Sequence, residues 1–151
     1  MFKILVAEDD AELQQLFCRV LTRSGFTAIG VPDGAAALEA LEKEYIDLIV
    51  SDIMMPRMDG YALVRSLRDA GNNIPVLMIT AKDSFQDMQF GFLAGTDDYM
   101  VKPVNVNELV LRIRALLRRA QMVADRRQSI GGTTFEFDSF TVRTDGSQVV
   151  L

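Results

Sequence analysis

The sequence predicts an α/β protein with a doubly wound, five-stranded parallel sheet covered by helices on both faces. Three observations carry this. Short apolar runs recur through the first hundred residues, as strands buried on both faces do. Between them lie stretches whose apolar residues return at helical spacing. Turn residues punctuate the two, at Gly25, Asp33-Gly34, Pro56, Asp59-Gly60, Gly71-Asn72-Asn73 and Gly95. Strand alternating with helix implies right-handed crossovers and a parallel sheet.

Lys3 to Ala7 is the first strand. Asp10 caps a helix through about Ser24, with Leu13, Leu16, Phe17, Val20 and Leu21 at helical spacing and Gly25 as its stop. Phe26 to Val31 is the second strand, and Asp33-Gly34 opens an alanine- and leucine-rich helix ending near Glu44. Asp47 to Asp52 is the third strand, followed by a helix with Leu63, Val64 and Leu67 on one face. Val76 to Thr80 is the fourth strand, and about Ser84 to Leu93 the next helix. Tyr99 to Val101 is a short fifth strand. A long amphipathic helix then runs from Glu108 to about Ala124, with Leu109, Ile113, Leu116 and Leu117 inward.

The chain of 151 residues suits one core and a fragment of another domain. No apolar run approaches a membrane span and no signal peptide opens the chain. A single cysteine, Cys18, rules out a disulfide framework and suits a reducing, cytoplasmic setting. There is no histidine, which excludes a catalytic histidine, a histidine metal ligand and a self-contained phosphohistidine relay. Residues 1–111 hold 9 basic and 17 acidic side chains, which argues against this part gripping nucleic acid itself. Residues 112–127 hold 6 basic and 1 acidic, read as a solvated helix face whose cations suit the dipole.

In an open parallel sheet, ligands bind beyond the carboxyl ends of the strands. Glu8 and Asp9 follow the first strand, Asp52 ends the third, Thr80 the fourth, and Lys102 follows the fifth; the second offers only Val31-Pro32. Singly, each has a plain structural use: a helix cap, a loop residue, a satisfied strand end. Together they bring three carboxylates, a hydroxyl and an ammonium to one edge. Crowded carboxylates repel unless a cation joins them, and oxygen donors of this kind suit Mg²⁺. An ionised Asp52 beside the metal and Lys102 is suited to attack a phosphoryl group, with Thr80 bonding one of its oxygens. A carboxylate already ionised at neutral pH needs no general base, so the missing histidine does no harm.

Val6-Ala7-Glu8-Asp9-Asp10, then Asp52-Ile53-Met54-Met55-Pro56-Arg57-Met58-Asp59-Gly60, then Thr80-Ala81, then Lys102-Pro103 closely resemble the receiver domain of two-component response regulators. The resemblance covers about residues 2–122, taken as the first domain, 1–122. It implies a flavodoxin-like sheet of order 2-1-3-4-5. It also implies that Asp52 accepts a phosphoryl group from a sensor histidine kinase, with no enzymatic turnover of other substrates. Glu8, Asp9, Asp52 and the backbone carbonyl of Met54 would hold Mg²⁺, and Lys102 would pair with the phosphoryl group. Thr80 would swing toward that group, and Tyr99 would move inward behind it.

Asp97-Asp98-Tyr99 and the stretch Glu108 to Arg114 resemble the dimerisation face of the winged-helix, OmpR/PhoB-like class. By that resemblance Asp97, Asp98, Glu108 and Arg112 join cross-dimer ion pairs when the chain is phosphorylated. One departure stands out: the position usually holding Lys or Arg opposite Glu108 is Met88 here. Met88 to Phe92 then makes either a more apolar contact or, through Phe90 and Phe92, part of the core. Residues 123–132 read as a polar linker ending in Gly131-Gly132. Residues 133–151 alternate polar and apolar around the hairpin signal Asp145-Gly146, like the opening sheet of a winged-helix DNA-binding domain. The effector domain is expected to be truncated, with DNA reached only through its missing part; a receiver with a hairpin tail is the alternative.

Two other functions fit the same topology less well. A phosphatase of the haloacid-dehalogenase type also uses an aspartyl nucleophile, Mg²⁺, Thr and Lys, but wants a second Asp where Met54 stands. A flavin-binding module wants a Ser/Thr/Gly-rich loop after the first strand, where Glu8-Asp9-Asp10 would repel the phosphate.

Overall fold

A computed structural model of the chain describes residues 1–81 and 95–132, with side chains through residue 123. Among the described residues the elements run β1 (Lys3–Ala7), α1 (Ala11–Arg23), β2 (Thr27–Val31), α2 (Gly34–Lys43), β3 (Leu48–Asp52), α3 (Gly60–Asp69), β4 (Val76–Thr80), β5 (Asp98–Val101) and α4 (Val106–Gly132). The five strands form one parallel sheet of order β2-β1-β3-β4-β5. The expected helix at Ser84–Leu93, the contact stretch Met88–Phe92 and the hairpin of 133–151 lie outside the described residues.

Alternation along each strand divides the interior into two cores. Ile4, Val6, Leu48, Val50, Leu77, Ile79 and Met100 share one face with Phe17 and Leu21 of α1 and Leu109, Ile113, Leu116 and Leu117 of α4. Leu5, Ala7, Ile49, Val76, Met78 and Tyr99 share the other with Ala37 of α2 and Leu63, Val64 and Leu67 of α3. Burying each large aliphatic side chain of these cores contributes about 2 kcal/mol. Two cores lock the register, because a slip of one residue would exchange every side chain between them.

The helix starts are set by side-chain caps. Asp10 accepts from Glu12 N–H and Leu13 N–H, Asp33 from Ala36 N–H, and Asp59 from Ala62 N–H. Asn105 accepts from Asn107 N–H and Glu108 N–H, which starts α4 two residues before the Glu108 expected.

Leu16, at helical spacing with the others, is 38% exposed, because it falls at the margin of the α1 stripe centred on Phe17 and Leu21. One expectation needs correction. The helix expected to end near Ala124 runs to Gly132, so residues 123–132, read as a linker, are helical. Ala, Gln and Arg are good helix formers, no proline intervenes, and the strongest opposition, Gly131-Gly132, comes only at the end. The chain divides into two units, Met1–Leu117 and Arg118–Leu151, and the sheet lies wholly in the first.

Candidate functional site: an acidic pocket at the strand tips

The parallel register brings the C-terminal ends of β1, β3, β4 and β5 to one edge, with Asp52 opposite Ile79 and Thr80 opposite Val101. Oxygens of Glu8, Asp9 and Asp52 lie within 4.8 Å of one another. Lys102 Nζ donates to Asp52 Oδ2 at 2.9 Å and stands 3.7 Å from Glu8 Oε1. Glu8, Asp52 and Thr80 are buried, and Asp9 is exposed at the rim. Glu8, Asp9, Asp52 and Lys102 therefore meet at this edge, and Thr80 stands at the β4 tip beside them. Lys102 N–H donates to the Thr80 carbonyl at 2.7 Å, tying the fifth tip to the fourth, and the Lys102–Pro103 peptide is cis.

The Glu8 carboxylate and the backbone around the pocket are held from behind. Asp10 N–H donates to Glu8 Oε2 at 3.0 Å, so the α1 cap also orients the pocket. Gln14 donates through Nε2 to the carbonyls of Glu8 and Val31, both at 2.9 Å, clamping the β1 tip to the β2 tip. A Cβ on Gly30 would run into that Gln14 side chain, so the glycine makes room for the clamp. At Asp52, Gly60 N–H donates to the Ile53 carbonyl at 2.9 Å. A Cβ on Gly60 would collide with the Asp52 carbonyl oxygen and come to 2.7 Å from Met78 Sδ. Only glycine lets α3 begin this close to the acceptor strand.

The electrostatics are unbalanced. Burial pushes the Glu8 carboxyl up to about 7, and the Asp52 charge adds to this; Asp10 N–H and the Lys102 ammonium pull the other way. For Lys102, burial is outweighed by the hydrogen bond and charge of Asp52 and by Glu8, and its pKa is raised. Among the described residues Glu8 Oε1 is buried with no hydrogen bond. A buried oxygen without a partner is costly. It sits among hard oxygen donors, which is the donor set a divalent cation of the Mg²⁺ class takes. The residues present fit such an ion.

Met54 lies two residues beyond Asp52, its side chain 71% exposed. Tyr99 is 6% exposed and lies within the α2–α3 core, the inward position. Strand alternation puts it on the same face as Met78, its β4 neighbour, and Thr80.

The four expected dimer-face residues divide. Arg112 donates Nη1 to both Asp98 oxygens at 3.0 and 2.9 Å and Nε to Glu108 at 2.8 Å, so these three form one cluster. Asp97 is not in it. Its Oδ2 accepts from Arg68 Nη2 at 3.0 Å and from Val76 N–H at 2.8 Å, fastening the entry of β5 to α3 and β4. Arg68 went unread in the sequence, because a pairing across 29 residues leaves no periodic mark.

Arg57 and Asp33 were likewise missed as a pair. Arg57 Nε and Nη2 donate to Asp33 Oδ2 and Oδ1 at 2.8 and 2.9 Å. That hydrogen bond, with Ala36 N–H, holds the Asp33 carboxyl below the usual range.

Comparison with known proteins agrees with this geometry. Residues 4–114 match the response regulator receiver domain family. Over 151 residues the chain is 41% identical to the heme response regulator HssR of Staphylococcus aureus, spanning 100% of this chain and 67% of that protein. The receiver domain of Francisella response regulator 1452 superposes with a TM-score of 0.77 at 35% identity, covering 80% of this chain and 99% of that one. The BeF3-activated N-terminal receiver domain of Klebsiella pneumoniae RstA superposes with a TM-score of 0.72 at 33% identity, covering 77% of this chain and 98% of that one. With the sheet order, the acidic pocket and the family match in agreement, the chain belongs to the response regulator receiver domains.

Proposed function

We propose that the chain is the phosphoacceptor domain of a transcriptional response regulator, with Asp52 as the single acceptor. The observation that carries this is the pocket itself: Asp52 is bonded to Lys102 at 2.9 Å and crowded by Glu8 and Asp9, and a Glu8 oxygen is left without a hydrogen bond. Asp52 attacks the phosphorus of a phosphohistidine on a sensor kinase. A P–O bond forms as the P–N bond breaks, and the donor imidazole leaves. Lys102 stays paired with the negative charge that gathers on the phosphoryl oxygens, and the Thr80 hydroxyl donates to one of them. Glu8, Asp9, Asp52 and the Met54 carbonyl would hold Mg²⁺, which when bound neutralises part of the same charge.

Thr80 and Tyr99 share a face of the sheet, so movement of Thr80 toward the acceptor is felt by Tyr99 on the neighbouring strand. Such a local charge event can bias a two-state surface. That surface would be the β5–α4 face, and the partner a second copy of this chain. Asp98, Glu108 and Arg112 form its charged part, while Asp97 is engaged by Arg68.

Output through a winged-helix DNA-binding domain is supported by the alternating pattern of residues 133–151 and by an alignment to HssR that runs through all 151 residues. Met54, standing where a haloacid-dehalogenase phosphatase needs its general acid, supports a switch rather than an enzyme with turnover. Among the described residues no helix is long and apolar enough to cross a membrane, which agrees with a cytoplasmic site of action.

The test is incubation with acetyl phosphate and Mg²⁺ followed by intact mass measurement. One phosphoryl mass should be gained by the native chain and none by Asp52→Asn. An equal gain in the variant would refute the assignment.

A further inference from the structure

The loop between β3 and α3 contains a strained turn. Met58 N–H donates to the Pro56 carbonyl at 2.7 Å, and Arg57 between them has a φ of 65°. This is a γ-turn of the left-handed kind, which a residue with a side chain rarely adopts. Something outside the turn must hold it.

Two contacts do. The Arg57 guanidinium grips the buried Asp33 carboxylate with two hydrogen bonds, and Asp33 is itself fixed by capping α2 through Ala36 N–H at 2.8 Å. Beside it, Gly34 N–H donates to the Met58 carbonyl at 3.0 Å. A Cβ at Gly34 would lie 2.7 Å from that carbonyl, so the approach depends on glycine. The other end of the loop is closed by Gly60 N–H on the Ile53 carbonyl. Met54 lies between the two anchorages, and its exposed side chain supplies no burial to hold it.

We infer that the Asp33–Arg57 pair is a positioning device for the metal site. It fastens the loop after Asp52 to the start of α2, so that the backbone carrying Met54 is in place before an ion arrives. The inference rests on the reading of the pocket as a Mg²⁺ site. Arg57 touches neither ion nor phosphoryl group; it acts through the loop. A fork of two charge-assisted bonds suits this task, because it fixes orientation as well as distance.

The experiment uses the full chain, Arg57→Gly and Arg57→Lys. Two readouts are taken: Mg²⁺ affinity by titration calorimetry, and amide hydrogen exchange at Gly34 in the metal-free protein. Glycine suits the left-handed backbone, so relief of the strained turn should offset part of the lost Asp33 pairing, and Arg57→Gly should stay folded with a modestly lowered melting temperature. Its Mg²⁺ Kd should nevertheless rise about tenfold, the low end for groups that orient a ligand from behind. Its Gly34 amide should exchange faster. Arg57→Lys, which keeps the charge and loses the fork, should fall between the two. Native-like affinity and exchange in Arg57→Gly would overturn the inference while leaving the pocket reading intact. A native chain that takes no Mg²⁺ would overturn both.

Discussion

Two groups of charged side chains in this domain are built on opposite terms. At the strand tips, among the described residues, Glu8, Asp9 and Asp52 face one ammonium, two of the carboxylates are buried, and a Glu8 oxygen has no hydrogen bond. On β5 and α4, Asp98 and Glu108 share the Arg112 guanidinium at the surface, each within hydrogen-bonding distance. The first group is left in excess negative charge by the fold; the second is satisfied within the chain. Buried charge that the protein does not neutralise marks a place where something else must arrive. Balanced charge at the surface contributes little to stability.

The largest effect on this contrast should come from removing Lys102, the one pocket cation among the described residues. Lys102→Ala leaves Asp52 and Glu8 without a counter-charge and should destabilise the metal-free chain by about 2 kcal/mol, the scale of a lost hydrogen bond between charged groups. Denaturant unfolding with and without Mg²⁺ measures it, and the ion should recover most of the loss. An equal loss with Mg²⁺ present would show the defect to be one of packing.

The pocket should also respond to pH in a direction opposite to ordinary acid denaturation. Burial raises the Glu8 carboxyl from 4.5 to about 7. Between those values the folded chain holds a proton that the unfolded chain has released. The contribution of Glu8 to stability is therefore complete below the lower value and declines as pH rises toward the upper one. Metal-free melting temperatures over that interval should fall more steeply with rising pH than those of Glu8→Gln. A cation needs the ionised carboxylate, so apparent Mg²⁺ affinity should climb over the same interval and level off above it.

The smallest effect on stability should come from the balanced cluster. Arg112→Ala should cost roughly 0.5 kcal/mol in the monomer, as exposed pairs do. If the face serves a second copy of the chain, the same variant should lose the dimer that the phosphorylated native chain forms, read by light scattering. Monomeric native protein in the phosphorylated state would remove that use of the face.

The strands were legible because a strand buried on both faces must be a short apolar run, and those at Lys3 and Val76 were placed to the residue. The pocket was legible for a related reason. A parallel sheet sends every strand tip to one edge, so the residues ending Leu48–Asp52 and Val76–Thr80 had to share a neighbourhood whatever the loops did. The pairs Arg57–Asp33 and Arg68–Asp97 were not legible, since each joins elements through a single long side chain with no repeat to betray it. Leu16 shows that helical spacing fixes an angle about the axis but not the width of the stripe that is covered. At residues 123–132 the polar composition suggested a linker, although each of the residues before the glycine pair is compatible with a helix.

Gly60 has a consequence for anyone who would move the acceptor elsewhere. The first residue of α3 sits where a single methyl group would strike the Asp52 carbonyl, so β3, its loop and the opening turn of that helix form one cassette. A graft carrying Asp52 and its loop onto a host whose helix begins with any side chain would force strand and helix apart, and the carboxylate would leave its place with them.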